Sequence, residues 1–215
     1  MISFNRNETG GPRKIGLMGG TFDPIHVGHL VTAEEARQQF DLHCVVFVPT
    51  GIPPHKKEEA VTHPEHRYLM TSLAVMSNPS FFVSRLEIDR SEPSFTIDTV
   101  NHFFRSEDPD PELYFITGAD AILEIFTWKD YEELLSRCTF IAVSRPGYSL
   151  DRFRGTLRHT CPDLLDKVHL LEIPALAVSS TFIRERVALG KTIKYLTPEP
   201  VEQYIKKHSL YRTDI

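Results

Sequence analysis

Lys14-Ile15-Gly16-Leu17-Met18-Gly19-Gly20-Thr21-Phe22-Asp23-Pro24-Ile25-His26-Val27-Gly28-His29 is the stretch from which the fold can be read. Its first five residues form a short apolar run that stops at a glycine pair. Beyond the loop, Leu30, Val31, Ala33, Ala36 and Phe40 recur at near-helical spacing, so the stretch predicts strand, loop and helix in that order. Cys44-Val45-Val46-Phe47-Val48 is an unbroken β-branched and aromatic run halted by Pro49, the pattern of a strand covered on both faces. Two such strands joined by a helix make a βαβ unit.

Reading outward, residues 50–59 are rich in breakers and charge and predict a loop. Thr62 and Glu65 have capping-box spacing ahead of a helix whose apolar stripe is Tyr68, Leu69, Leu73 and Met76, ending near Asn78-Pro79. Strands are predicted at 81–88, 113–116, 139–143 and 168–173, with helices at 96–104, 179–189 and 200–207. This alternation predicts an α/β fold, a doubly wound parallel sheet of Rossmann-like type. Residues 14–215 are expected to form a single domain and residues 1–13 a flexible tail. Ligands in such folds bind beyond the carboxyl ends of the strands, so the loops after Met18, Val48, Ile116 and Val143 are expected to converge.

Composition narrows the class. Of 215 residues 41% are hydrophobic and 25% charged, which is ordinary globular usage. Lys plus Arg number 24 against 29 Asp plus Glu, a formal net charge of -5, so the global basic excess of a non-specific nucleic-acid binder is missing and any anion site must be local. Cys44, Cys138 and Cys161 lack metal-ligand or disulfide spacing and are expected to be small buried hydrophobes. No apolar run reaches the length of a membrane span and no signal sequence opens the chain, so no membrane partner and a cytoplasmic location are expected. The oligomeric state stays open, a homo-oligomer included.

The loop after the first strand carries the chemistry. Gly19 and Gly20 permit positive φ and close backbone approach, and Gly28 leaves room for a ligand at the start of the helix. His26 and His29, three residues apart around that helix N-terminus, can address one anion. Neither G-x-G-x-x-G nor a Walker lysine is present, and His-x-x-His without a third ligand is incomplete for zinc, so no protein-built metal site is expected.

Taken whole, Gly-Gly-Thr-Phe-Asp-Pro-x-His-x-Gly-His between a buried strand and a helix resembles the signature of the nucleotidyltransferase superfamily related to class I aminoacyl-tRNA synthetases. Ser179-Ser180-Thr181-Phe182-Ile183-Arg184 resembles its second motif, S-S-T-x-I-R. Gly118-Ala119-Asp120 and Arg145-Pro146-Gly147 resemble its adenosine-side segments. Ile52-Pro53-Pro54-His55-Lys56, Pro93-Ser94-Phe95-Thr96-Ile97-Asp98-Thr99, Trp128-Lys129-Asp130 and the tail Tyr195-Leu196-Thr197-Pro198 are similar to bacterial nicotinate mononucleotide adenylyltransferases. One departure stands out: Phe95 occupies a position where that family commonly has Tyr.

The resemblance implies transfer of AMP from ATP to nicotinate mononucleotide, giving deamido-NAD and pyrophosphate, with Mg2+ carried in by ATP. It implies catalytic roles for His26, His29 and Arg184. ATP contacts are implied for Gly19, Gly20, Thr21, Phe22, Gly28, Gly118, Asp120, Arg145, Ser179, Ser180 and Thr181. Lys56, Thr96 and Trp128 are implied for the mononucleotide, and Asp23 is expected to orient the loop rather than act as a base. Two other readings stay open. One is another acceptor within the superfamily, nicotinamide mononucleotide or phosphopantetheine; the other is a non-catalytic nucleotide-binding protein on the same fold.

Overall fold

The computed structural model describes residues 13–52, 61–106, 111–144, 151–160, 162–174 and 176–212. Six strands are present among them: β1 (Lys14–Gly20), β2 (Cys44–Pro49), β3 (Phe81–Val83), β4 (Glu112–Gly118), β5 (Cys138–Ser144) and β6 (Val168–Glu172). All pair in parallel, in the order β3-β2-β1-β4-β5-β6. The strand order reverses between β1 and β4, and in an open parallel sheet the crevice at that switch point is where ligands bind. The doubly wound expectation holds.

Helices cover both faces: α1 (Val27–Gln39), α2 (Pro64–Val75), α3 (Thr96–Ser106), α4 (Ala119–Leu123), α5 (Tyr131–Arg137), α6 (Asp151–Thr160), α7 (Ser180–Ala188) and α8 (Glu199–Lys207). Strand alternation divides the core in two. Ile15, Leu17, Val46, Val48, Phe115 and Phe140 pack with Ile97, Val100 and Phe103 of α3, Ile122 of α4 and Leu134 and Leu135 of α5. Met18, Val45, Phe47, Ile116 and Ile141 pack on the other side with Ala33 and Ala36 of α1, Met70 and Ala74 of α2, Ile183 of α7 and Val201 and Ile205 of α8. Every residue of β2 is buried, as its unbroken apolar run requires.

Three expectations are corrected. The third strand, expected over 81–88, ends at Val83, because Ser84 turns the chain: its hydroxyl accepts from Leu86 N–H at 3.2 Å. The buried face of α2 is Arg67, Met70, Thr71, Ala74 and Val75, while Leu69 and Met76 of the expected stripe are 42% and 72% exposed. Its N-cap is His63, whose ring accepts from Glu65 N–H at 3.3 Å, rather than Thr62. The short helices α4, α5 and α6 were not anticipated. Cys44 and Cys138 are buried, as expected of small hydrophobes; Cys161 and residues 1–12 of the expected tail lie outside the described residues. Among the described residues, no helix is long and apolar enough to cross a membrane.

Candidate active site

The loop between β1 and α1 leaves the sheet at the switch point. Its first feature corrects an expectation: Gly19 and Gly20 are extended residues of β1, and positive φ falls on Phe22 instead (φ 49). The glycines are needed for space. A Cβ on Gly20 would stand 2.8 Å from the Phe22 ring, and one on Gly19 would stand 3.2 Å from Phe115. Phe22 is buried against Phe47 and meets the His29 ring edge-on at 5.1 Å. The Asp23-Pro24 peptide is cis.

His26 is the N-cap of α1 and His29 lies in its first turn. The two imidazoles stack with centroids 3.7 Å apart, and His26 N–H donates to His29 Nδ1 at 3.2 Å. In the neutral ring that bond places the His29 proton on Nε2. His26 Nδ1 is buried and has no hydrogen-bond partner among the described residues. Burial lowers the pKa of His26 to about 4, and burial together with the neighbouring His26 lowers that of His29 to about 3. Both rings are therefore neutral near pH 7. At Gly28 an added Cβ would lie 3.0 Å from the His26 ring, so the absence of a side chain here leaves space for that imidazole.

The loop has no ladder of its own, and side chains from the last third of the chain hold it. Arg184 Nη1 donates to the carbonyl of Asp23 at 2.8 Å, Ser180 Oγ to that of Pro24 at 2.8 Å, and Thr197 Oγ1 to that of Ile25 at 2.9 Å. Val27 N–H completes the bracing by donating to Leu196 O at 3.0 Å. Ser179 caps α7, its hydroxyl accepting from Phe182 N–H at 3.1 Å, and Arg184 Nη2 reaches Thr181 Oγ1 at 3.4 Å. The two motifs distant in sequence thus meet, with the N-termini of α1 and α7 on the same loop.

Sequence reasoning missed Arg67. This α2 side chain is 1% exposed and donates to four backbone carbonyls, those of Thr21 (2.9 Å), Thr50 (2.6 Å), Gly51 (3.0 Å) and Thr62 (2.8 Å). It ties the loops after β1 and β2 to the start of α2. Nothing in the local sequence marks it except a charge where the helical pattern asks for an apolar residue. Asp23, expected to orient the loop, has both carboxylate oxygens hydrogen-bonded. Its Oδ1 accepts from Tyr211 Oη at 2.7 Å and its Oδ2 from Thr62 N–H at 3.2 Å.

On the far side of the switch point, Gly118 and Asp120 open onto a cleft of about 420 Å³ beyond the carboxyl ends of β4, β5 and β6, lined also by Val143, Ser144, Ile173, Pro174 and Leu176. Gly118 is the N-cap of α4. Thr96 begins α3, half-buried. Trp128 packs edge-on against Phe115 (6.1 Å) and Phe140 (6.3 Å) and keeps part of its surface exposed. Lys129 joins the two segments: its ammonium lies 4.8 Å from the Phe95 ring centre and 3.4 Å from Asp98. Phe95 is thereby a packing residue beneath a lysine. Glu87 stands behind α3, its buried carboxylate accepting from Thr99 Oγ1 at 2.7 Å. Lys56 and Arg145 lie outside the described residues. No group of three His, Cys, Asp or Glu able to hold a metal ion occurs among the described residues.

The cytidylyltransferase-like family model matches residues 17–186. A probable nicotinate-nucleotide adenylyltransferase of Moorella thermoacetica is 58% identical over 201 residues, 94% of this chain and 93% of that relative. One from a Thermoanaerobacter species is 53% identical over 201 residues, 94% of this chain and 95% of its own length. Among solved structures, Plasmodium falciparum nicotinic acid mononucleotide adenylyltransferase complexed with NaAD matches with a TM-score of 0.73 at 25% identity, covering 93% of this chain and 97% of that one.

Proposed function

Because the chain belongs to the cytidylyltransferase-like family and, within it, to the nicotinate-nucleotide adenylyltransferases, we infer that it joins nicotinate mononucleotide to the AMP part of ATP, giving deamido-NAD and pyrophosphate. The observation that carries this reading is 58% identity sustained over 94% of the chain. The meeting of the His26–His29 loop with α7 at the switch point supports the reaction class.

A phosphate oxygen of the mononucleotide attacks the α-phosphorus of ATP. A new P–O bond forms, the bond to the β-phosphate bridge breaks, and pyrophosphate leaves. The nucleophile is already ionised near neutral pH, so the site needs no general base and no covalent intermediate. It must hold two repelling anions in line and stabilise charge as it develops.

In this reading His26 and His29 donate to phosphate oxygens as neutral imidazoles, which costs no buried charge before the nucleotide arrives. Gly19, Gly20, Thr21 and Phe22 shape the backbone beside the phosphates, and Gly28 seats the His26 ring. Ser179, Ser180 and Thr181 bring the N-terminus of α7 to the triphosphate, and Arg184 takes its β and γ phosphates. Gly118, Asp120 and Arg145 serve the adenosine. Trp128 stacks on the pyridine ring, Thr96 binds its carboxylate, and Lys56 approaches the phosphates from the loop after β2. Asp23, the carboxylate nearest His26 in sequence, has both oxygens engaged, which fits magnesium delivered with ATP and ligated by phosphate and water. The metal supplies neutralisation of phosphate charge.

Incubation with ATP, magnesium and either nicotinate or nicotinamide mononucleotide, followed by pyrophosphate release, tests the reading. Release is expected with the nicotinate form in preference; no release with it overturns the assignment.

A further inference from the structure

Asp23 is 4% exposed and lies three positions before His26. Three separate parts of the chain hold it: α7 through Arg184 on its carbonyl, the start of α2 through Thr62 N–H on Oδ2, and the turn after α8 through Tyr211 on Oδ1. The tyrosine is 188 positions away in sequence, and its bond is the shortest of the three at 2.7 Å.

The backbone that delivers Tyr211 is strained. Ser209 (φ 51) and Tyr211 (φ 62) both adopt the left-handed conformation, which crowds Cβ against the backbone in any residue but glycine. Such residues persist where surrounding contacts over-determine them, commonly at functional sites. Leu210 N–H to Ile205 O (3.1 Å) and Ser209 N–H to Lys206 O (3.3 Å) anchor the turn to α8. The hydroxyl also lies 3.9 Å from Met70 Sδ, so the phenol is fixed from two sides. Burial and the adjacent Asp23 carboxylate push its pKa upward, which keeps it a donor.

A different demand falls on Arg184. On the reading above, its guanidinium engages the triphosphate, although in this structure it holds the Asp23 carbonyl. Any motion toward phosphate weakens that hold when the loop must stay still. The Tyr211 bond uses the other end of Asp23 and needs no ligand.

We propose that Tyr211 is a positioning residue: its hydroxyl pins Asp23 so that His26 and His29 keep their placement while Arg184 engages the triphosphate. The inference rests on the adenylyl-transfer reading for its catalytic consequence, though not for its structural one. Tyr211→Phe removes the hydroxyl and keeps the ring. It is expected to lower kcat by at least ~10-fold, the cost of losing one hydrogen bond to a charged group, with KM for ATP changed less than ~3-fold. Hydrogen exchange in the ligand-free protein should be at least ~10-fold faster at amides of residues 22–27, with β1 unchanged. In an Asp23→Ala background, adding Tyr211→Phe should change kcat by less than ~2-fold, since its partner is already gone. Equal loss of kcat in both backgrounds, or unchanged exchange in the loop, overturns the proposal. Failure of the unmodified protein to release pyrophosphate sinks the reaction assignment instead, and the exchange comparison, which needs no substrate, still decides whether Tyr211 pins the loop.

Discussion

Two imidazoles stacked 3.7 Å apart repel each other once both are charged, and burial already disfavours the first proton. With folded pKa values of about 4 and about 3 against 6.5 when unperturbed, neither His26 nor His29 should titrate between pH 5.5 and 8. Imidazole resonances followed by NMR in the free protein check this. The same shift is a stability term. Because the folded values lie below the unfolded one, the unfolded chain binds more protons below about pH 6.5, and stability falls as the pH drops toward 4. His29→Gln should therefore lose about 2 kcal/mol less than the parent protein between pH 7.5 and 5, measured by urea unfolding. For catalysis, His29→Ala should lower kcat by at least ~100-fold, the usual cost of removing a donor aimed at developing charge. Full activity in a folded His29→Ala protein refutes its assigned role.

At the scale of elements, the start of α1 is shaped by one missing side chain. Gly28→Ala puts a methyl 3.0 Å from the His26 ring, and steady-state kinetics should record at least a ~10-fold fall in kcat as the ring is displaced. Arg67→Met has a different signature. Four backbone carbonyls around α2 lose their donor, so unfolding free energy should drop by about 3 kcal/mol or more. A loss under about 1 kcal/mol shows the hub to be dispensable. These two residues also mark the limit of what sequence reveals. β1, β2, β4 and β5 were legible because strands buried on both faces spell themselves as continuous apolar runs. α2 was misread because its buried face carries Arg67 and Thr71 while Leu69 and Met76 face water, so hydrophobic periodicity points the wrong way. The histidines and α7 were legible as motifs. Arg67 and Tyr211 were not, since their partners at Thr21, Thr50, Gly51 and Asp23 lie 16 to 188 positions away and become neighbours only after folding.

At the scale of the whole molecule, one sheet serves two cores, and β1, β2, β4 and β5 each send side chains into both. Neither layer can melt without stripping the other's floor. We therefore expect residues 14–215 to unfold as one cooperative unit, with a single calorimetric transition whose direct and van't Hoff enthalpies agree. Two separated transitions refute the single-domain assignment. The net charge of -5 belongs to the same scale: cations that meet phosphate must be placed locally, because the overall field does not draw anions in.

Trp128 is the sole tryptophan of the chain, and it leans on Phe115 and Phe140 with part of its indole left uncovered. Near-ultraviolet emission excited at the red edge of the protein's absorption thus comes from a single chromophore. Against an electron-poor pyridine ring, on the role proposed above, that indole would be quenched on contact, while ATP alone would leave it bright. On that role the protein would carry a built-in optical gauge of acceptor occupancy, free of any label.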